Sequence, residues 1–304
     1  MQRLILFLVT NGAVLALLSF VFQLFGVEQW FYREGVNLNL QSLLIFSALF
    51  GMGGSFISLA MSKWLAKQGM GVRVLEHPAD AGEIRLVETV QRLARQAGIG
   101  MPEVGIFESD QPNAFATGMS RDSALVAVSS GLLRRMPANQ LEAVLGHEIT
   151  HVANGDMVTL GLIQGVVNTF VIFLARIVGF VVDRALFRND RGGGIGYFAT
   201  TMVAQIFLSI LASMIVMAFS RWREFRADAG GANLAGRDNM IAALRSLQHN
   251  REPQELSGSL AAFGIAGGLG QGMTKLFMSH PPLEERIAVL EHMDVGRLHV
   301  NHGH

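Results

Sequence analysis

Two histidines and a glutamate lie close together in the segment GHEITHVANGD, residues 146–156. On an α-helix, residues four apart share one face, so His147 and His151 can present both imidazoles to one Zn²⁺ ion. Glu148 follows the first histidine, where its carboxylate can reach an attacking water without binding the metal itself. This spacing predicts zinc-assisted hydrolysis of a peptide bond. A helix with two surface histidines and a solvated glutamate is the alternative.

A catalytic zinc site needs a third protein ligand and an open position. The chain has no cysteine, so that ligand must be another histidine or a carboxylate. The segment REFRAD supplies Glu224 and Asp228, again four residues apart. Glu224 could complete a His₂Glu site, and Asp228 could accept a hydrogen bond from the outer nitrogen of a zinc-bound histidine. In the alternative, both carboxylates pair with nearby arginines at the surface: Arg223, Arg226 and Arg237.

The composition indicates a membrane protein and excludes several function classes. Of 304 residues, 50% are hydrophobic and 16% charged, whereas soluble domains have about 25% charged residues. The formal net charge is zero, so no basic excess exists to bind nucleic acid. A glycine-rich segment at 258–272 lacks the Gly-Lys-Ser/Thr of a nucleotide-binding loop and is interpreted as a flexible loop or a loosely packed helix. Without cysteine, disulfides and thiolate metal sites are also excluded.

Four uncharged runs predict transmembrane helices, at residues 4–25, 38–61, 157–175 and 195–219. Each has about 18 or more residues, the length needed to cross roughly 30 Å of hydrocarbon. The first run has no signal-peptide cleavage pattern and is interpreted as a retained helix. The last two contain polar residues, which leaves a shallow, partly buried hairpin as an alternative: Gln164, Asn168, Thr200, Thr201 and Gln205.

The polar stretches predict a small mixed domain. Residues 80–98 form an amphipathic helix that begins with a capping box of Asp80 and Glu83. Short strands are expected at 102–109, 113–118 and 123–131, between turn residues. A further helix begins near Pro137 and ends at Asn154, so it carries both histidines.

The order of the segments fits one shared metal site. His147 and Glu224 must lie on the same side of the membrane, and two apolar runs separate them. Six basic residues near the span ends fall on the side of the termini: Arg3, Lys63, Lys67, Arg221, Arg223 and Arg226. Four fall on the other side: Arg33, Arg184, Arg188 and Arg191. This bias predicts that the catalytic domain and both termini face the cytoplasm.

The sequence motifs follow one another in a characteristic order. Two N-terminal spans are followed by NAFATG, GHEITHVANGD, two further apolar runs, SRWREFRADAGGA and SHPPLEERI. This arrangement resembles the HtpX family of bacterial heat-shock membrane zinc endopeptidases. The wider group contains the CAAX prenyl endopeptidases and a mitochondrial inner-membrane protease. The resemblance implies that His147, His151 and Glu224 bind one Zn²⁺ per chain and that Glu148 is the general base.

The resemblance also implies two less specific assignments. Residues 113–117 correspond to an edge strand along which an extended substrate pairs: Asn113, Ala114, Phe115, Ala116 and Thr117. His280 corresponds to a histidine near the active site that steadies the oxyanion. A histidine at a helix start, before Pro281 and Pro282, is an equally good interpretation of that position.

The implied fold is a mainly α integral membrane protein, with four transmembrane helices and a zincin-like α+β metalloprotease domain containing a small sheet. Residues 1–61 would form two N-terminal transmembrane helices, and residues 157–219 a transmembrane hairpin. Residues 62–156 would form the first half of the metalloprotease domain, with the histidine helix. Residues 220–304 would form its second half, with the third ligand.

The implied function is hydrolysis of misfolded or damaged membrane proteins, for quality control and the stress response, in the bacterial cytoplasmic (inner) membrane. Its partners would be polypeptide substrates and the lipid bilayer, without nucleic acid or nucleotide. One alternative is a prenyl-protein endopeptidase. A second is a transporter or metal-binding scaffold, which the runs disfavour because they contain no Asp, Glu, Lys, Arg or His.

Overall fold

A computed structural model describes residues 39–187, 194–249 and 280–293, and the single residues 16, 20, 23 and 24. Most of the apolar run at 4–25 and all of the glycine-rich segment 258–272 therefore lie outside the described residues. The chain forms two compact units. One comprises Met1–Ser58 and Val158–Val216, and the other comprises Leu59–Met157 and Met217–His304.

Eight helices and four strands can be given bounds within the described part of the chain. In chain order they are α1 (Leu40–Gly69), β1 (Arg73–Val74), α2 (Ala81–Gln96), β2 (Glu103–Phe107), β3 (Ala114–Thr117), β4 (Leu125–Ser129), α3 (Ser130–Arg135), α4 (Ala138–Asn154), α5 (Asp156–Phe187), α6 (Ile195–Ala235), α7 (Arg237–His249) and α8 (Leu283–Glu291).

Three of these helices, α1, α5 and α6, are long and apolar enough to cross a membrane by length and composition. Helix α1 takes in the apolar run 38–61 from Leu40 onward, α5 contains the run 157–175, and α6 contains the run 195–219. Each helix continues beyond the end of its run. In α6 the helix continues for 16 residues past Phe219, so the run and the REFRAD segment share one helix of 41 residues. The expected count of four spans stays a prediction, because the first run is mostly outside the described residues.

Small residues allow close helix packing in the first unit. A Cβ on Gly51 of α1 would meet the backbone and side chain of Thr169 on α5, and one on Gly179 of α5 would meet Thr201 on α6. Close approach at small residues is the usual way in which membrane helices associate. Gln205, in contrast, is exposed on α6.

The second unit contains a four-stranded sheet in the order β1-β2-β4-β3. Strands β2 and β4 are parallel, while β1 and β3 pair antiparallel with their neighbours. The three predicted strands are confirmed, and β3 lies at one edge of the sheet. Strand β1 and the short helix α3 were not predicted, because elements of two and six residues are too short to show a hydrophobic period.

The predicted amphipathic helix is confirmed as α2. The Asp80 carboxylate caps it by accepting hydrogen bonds from the backbone N–H groups of Gly82 and Glu83. The Glu83 carboxylate accepts from the N–H of Ala79 rather than from that of Asp80, and it also pairs with Arg73. The reciprocal half of the capping box is therefore displaced by one residue. The apolar face of α2 joins a core shared with the sheet, α4, α7 and α8.

Candidate active site

Helix α4 presents both histidines from a firmly packed position. It begins after Pro137, which occupies the N-cap position rather than the first helical position. It ends at Gly155, whose φ of 66° is a left-handed conformation that favours glycine. Leu145 and Ile149 are fully buried in the core and anchor the helix.

Three glycines bring the helix of Glu224 against the histidine helix. A Cβ on Gly231 of α6 would lie 3.0 Å from the backbone N of His147, and one on Gly230 would collide with the side chain of Thr150. A Cβ on Gly146 of α4 would lie 3.4 Å from the Cα of Gly231. Because no side chain separates these two backbones, Glu224 on α6 can reach the histidines of α4.

The side chains of His147, His151 and Glu224 converge on a single point. The two Nε2 atoms lie 3.1 Å apart; that of His147 lies 3.4 Å from Oε2 of Glu224, and that of His151 lies 3.4 Å from the other carboxylate oxygen, Oε1. Zinc–ligand bonds of about 2.0–2.1 Å in tetrahedral geometry place ligand atoms about 3.3–3.4 Å from one another. The three side chains therefore fit one metal ion of that size, and all three are buried.

The chemistry of the donors supports a metal at this point. Glu224 is 1% exposed, so its carboxylate is shielded from water. Its neighbours among the described residues are the rings of His147, His151 and His280 and the guanidinium of Arg286. A buried carboxylate is costly unless cations lie beside it, and a metal ion bound between Glu224 and the two imidazoles would be such a cation.

Carboxylates hold the outer nitrogens of both histidines. Nδ1 of His147 lies 2.9 Å from Asp228 Oδ1, and Nδ1 of His151 lies 2.7 Å from Asp156 Oδ2. If each Nδ1–H donates to its carboxylate, each Nε2 is left with its lone pair facing the cluster. The sequence had suggested Asp228 for this role but had not singled out Asp156, although Asp156 ends the opening motif.

The same carboxylates change the acid–base behaviour of the histidines. Burial alone would lower the pKa of His147, but hydrogen bonds with Asp228 and Glu224 outweigh it and raise this pKa to about 9. For His151, burial is likewise outweighed by Asp156 and Glu224, so its pKa is also raised. Since a metal binds the neutral imidazole, metal binding at this site competes with protons.

The remaining predicted residues occupy different positions around the cluster. Glu148 is half-buried on α4, one residue beyond His147. Nδ1 of His280 lies 2.9 Å from Oε2 of Glu224, and this side chain is half-exposed. Strand β3 packs against α4 and forms a sheet edge. The described structure thus brings His280 to the cluster and places β3 beside the histidine helix.

Known proteins resemble this chain over most of its length. The sequence pattern of peptidase family M48 matches residues 80–294. "Protease HtpX" of Thioalkalivibrio sulfidiphilus is 64% identical, over 96% of this chain and 99% of that protein. "Protease HtpX" of Nitrosococcus oceani is 62% identical, over 95% of this chain and 98% of that protein. The crystal structure of Ste24p from S. mikatae has a similar fold, with a TM-score of 0.58 at 19% identity, over 95% of this chain and 67% of that chain.

Fold, site and relatives together define a class, a multi-pass membrane metalloprotease with polypeptide substrates. Within that class, the chain belongs to peptidase family M48. The expected resemblance and the expected fold class are thereby confirmed, apart from the count of four spans.

Proposed function

We propose that the protein is a zinc endopeptidase of the bacterial cytoplasmic membrane that cleaves misfolded or damaged membrane proteins. The observation that carries this proposal is the buried cluster of His147, His151 and Glu224, with distances that fit one tetrahedral zinc ion. The site lacks thiolates, and two imidazoles with one carboxylate form a ligand set used by catalytic zinc. A bound zinc ion supplies a Lewis acid that polarises the scissile carbonyl and lowers the pKa of water toward 7.

The protein's own side chains would carry the proton transfers. Glu148 would take a proton from the attacking water and deliver it to the leaving amine, as a general base and then a general acid. Its half-buried position next to His147 supports this role. His280 would donate a hydrogen bond to the developing oxyanion, since its exposed ring lies beside Glu224. The ring must turn from its contact with Glu224 to do so.

The edge strand β3 would hold the substrate. Residues Ala114–Thr117 pair with β4 on one side only, so their other backbone groups can pair with an extended peptide. The backbone N–H of Asn113, just before this strand, donates a hydrogen bond to the hydroxyl oxygen of Ser129 at 2.9 Å. Backbone pairing is tolerant of sequence, which suits a protease that acts on many unfolded segments.

The substrate class can be tested with the full chain in lipid vesicles. We expect zinc-dependent cleavage of a membrane protein to rise when a destabilising mutation unfolds it, because β3 requires an extended segment. Gel electrophoresis and mass spectrometry of the products would measure the rate and the cleavage sites. A matched pair of peptides, farnesylated and unmodified, serves as the control. Cleavage of the farnesylated peptide alone would instead establish a prenyl-protein endopeptidase.

The relatives favour the first outcome. Proteins named Protease HtpX match this chain at 56–64% identity, whereas the likeness to Ste24p is 19% and concerns the fold alone. We therefore place quality control of membrane proteins ahead of the processing of lipidated peptides.

We further propose that the catalytic unit faces the cytoplasm, as the charge bias at the span ends predicts. Because the chain lacks cysteine, one introduced cysteine at a time reports its side of the membrane. In intact spheroplasts, a membrane-impermeant maleimide should label Asp190→Cys, between the two apolar runs. Asn233→Cys, at an exposed position of α6, should react only after permeabilisation. The reverse labelling pattern would contradict this orientation.

A further inference from the structure

A buried arginine of α8 reaches the ligand cluster. Arg286 is 7% exposed, although arginine is almost never fully buried unless it is paired. Its Nε donates to Oδ2 of Asp228 at 2.7 Å, and its Nη2 donates to Oδ1 of the same carboxylate at 2.5 Å. Its Nη1 lies 3.5 Å from Oε2 of Glu224, so one guanidinium touches two carboxylates of the site.

The bidentate pair fixes the Asp228 carboxylate in one orientation. Two parallel hydrogen bonds from a planar guanidinium define both the position and the plane of a carboxylate. Oδ1 of Asp228 also lies 2.9 Å from Nδ1 of His147, and Nη2 of Arg286 lies 3.4 Å from that nitrogen. The direction of the His147 ring therefore depends on a carboxylate that Arg286 holds.

The packing of α8 does not by itself require this arginine. Leu283, Ile287 and Leu290 of α8 are all buried in the apolar core of the unit. These three side chains attach the helix without any charge. Burying the Arg286–Asp228 pair costs desolvation, which hydrophobic residues of similar volume would avoid. A positioning role at the metal site accounts for a pair that packing does not need.

We propose that Arg286 is a positioning residue of the metal site: it locks Asp228, which aims the His147 imidazole at the metal and so sets the metal affinity. The assignment rests on the proposed zinc ligation by His147, His151 and Glu224. Arg286 is not one of these three ligands, so its effect on the metal would pass through Asp228.

Zinc affinity, measured separately from catalysis, tests this assignment. The full chain in detergent would carry Glu148→Gln in every sample to prevent cleavage, and a chromophoric chelator would compete for Zn²⁺. We expect Arg286→Met to weaken zinc binding about 10- to 100-fold, the usual effect of losing a residue that orients a ligand. Arg286→Lys keeps the positive charge but cannot make two parallel hydrogen bonds to Asp228, so it should recover only part of that affinity.

Two further samples separate positioning from packing. Arg245→Met removes a surface bond between α7 and Glu291 of α8, at 2.7 Å, and should leave the zinc affinity unchanged. The double variant Asp228→Asn with Arg286→Met should match Asp228→Asn alone, because Arg286 acts through Asp228. If Arg286→Met alone does not fold, the comparison of the double variant with Asp228→Asn still tests the positioning role. The double variant removes both charges of the Arg286–Asp228 pair and so leaves neither of them buried without its partner.

The outcomes are distinct. Wild-type zinc affinity in Arg286→Met, or an additive loss in the double variant, would overturn the positioning role and leave the proposed zinc site standing. If the protein with Glu148→Gln alone binds no zinc, both the positioning role and the proposed function are overturned.

Discussion

Glu148→Gln is expected to abolish peptide cleavage while the protein still binds zinc. The amide cannot accept the proton of the attacking water, and general-base catalysis contributes about 10²- to 10⁴-fold to a rate. We therefore expect kcat to fall by roughly that factor with little change in KM, because Glu148 is not among the three side chains that converge as a possible metal site. Initial rates on an unfolded membrane-protein substrate would measure both parameters.

A second glutamate of α4 provides the matched control for that variant. Glu142 lies six residues before Glu148 and pairs with Arg92 at 2.9 Å on the surface. Glu142→Gln loses only this partly exposed ion pair and should retain wild-type activity. Metal-dependent cleavage that persists in Glu148→Gln would refute the general-base assignment.

Glu224→Gln is expected to lose both zinc and activity. The variant keeps the volume of the side chain, so the packing of α6 against α4 is preserved. A neutral amide oxygen is a weaker zinc ligand than a carboxylate, and it leaves the charge of the metal less compensated. We expect zinc affinity to fall by more than about 100-fold, beyond the effect of residues that only orient a ligand. Competition with a chromophoric chelator would measure the change.

The control for Glu224→Gln is the same substitution at an exposed carboxylate. Glu291 of α8 pairs with Arg245 at the surface, and Glu291→Gln should bind zinc as the wild type does. Retention of wild-type affinity in Glu224→Gln would remove Glu224 from the ligand set. Glu224 would then be better explained as one partner of an ion pair with a nearby arginine. The burial of Glu224 disfavours a surface ion pair.

The sequence predicted the three side chains that converge, because helical spacing pointed to them. His147 and His151 lie four residues apart on one helix, and Glu224 lies on a second helix whose own spacing also indicated Asp228. A spacing of four residues on a helix can be recognised from a short stretch of sequence. The three central strands were predicted for the same reason, since apolar runs between turn residues mark them.

Interactions that depend on a chain reversal or on distant contacts were not predictable. Asp156 follows Gly155, and the left-handed turn there decides that its carboxylate returns to His151. Arg286 lies 58 residues from Asp228 and 139 from His147, so no local pattern connects them. The continuity of α6 through the apolar run and the ligand segment likewise could not be inferred from composition, because polar and apolar helix segments have different signatures.

The most direct test of the zinc site is the metal content of three purified proteins, measured by mass spectrometry after exhaustive dialysis. We expect one zinc per chain in the wild type and in Glu148→Gln, and far less than one in Glu224→Gln. Only the wild type should cleave substrate. A wild-type protein that cleaves without zinc, or a Glu224→Gln protein that retains a full equivalent of zinc, would refute the proposed zinc site.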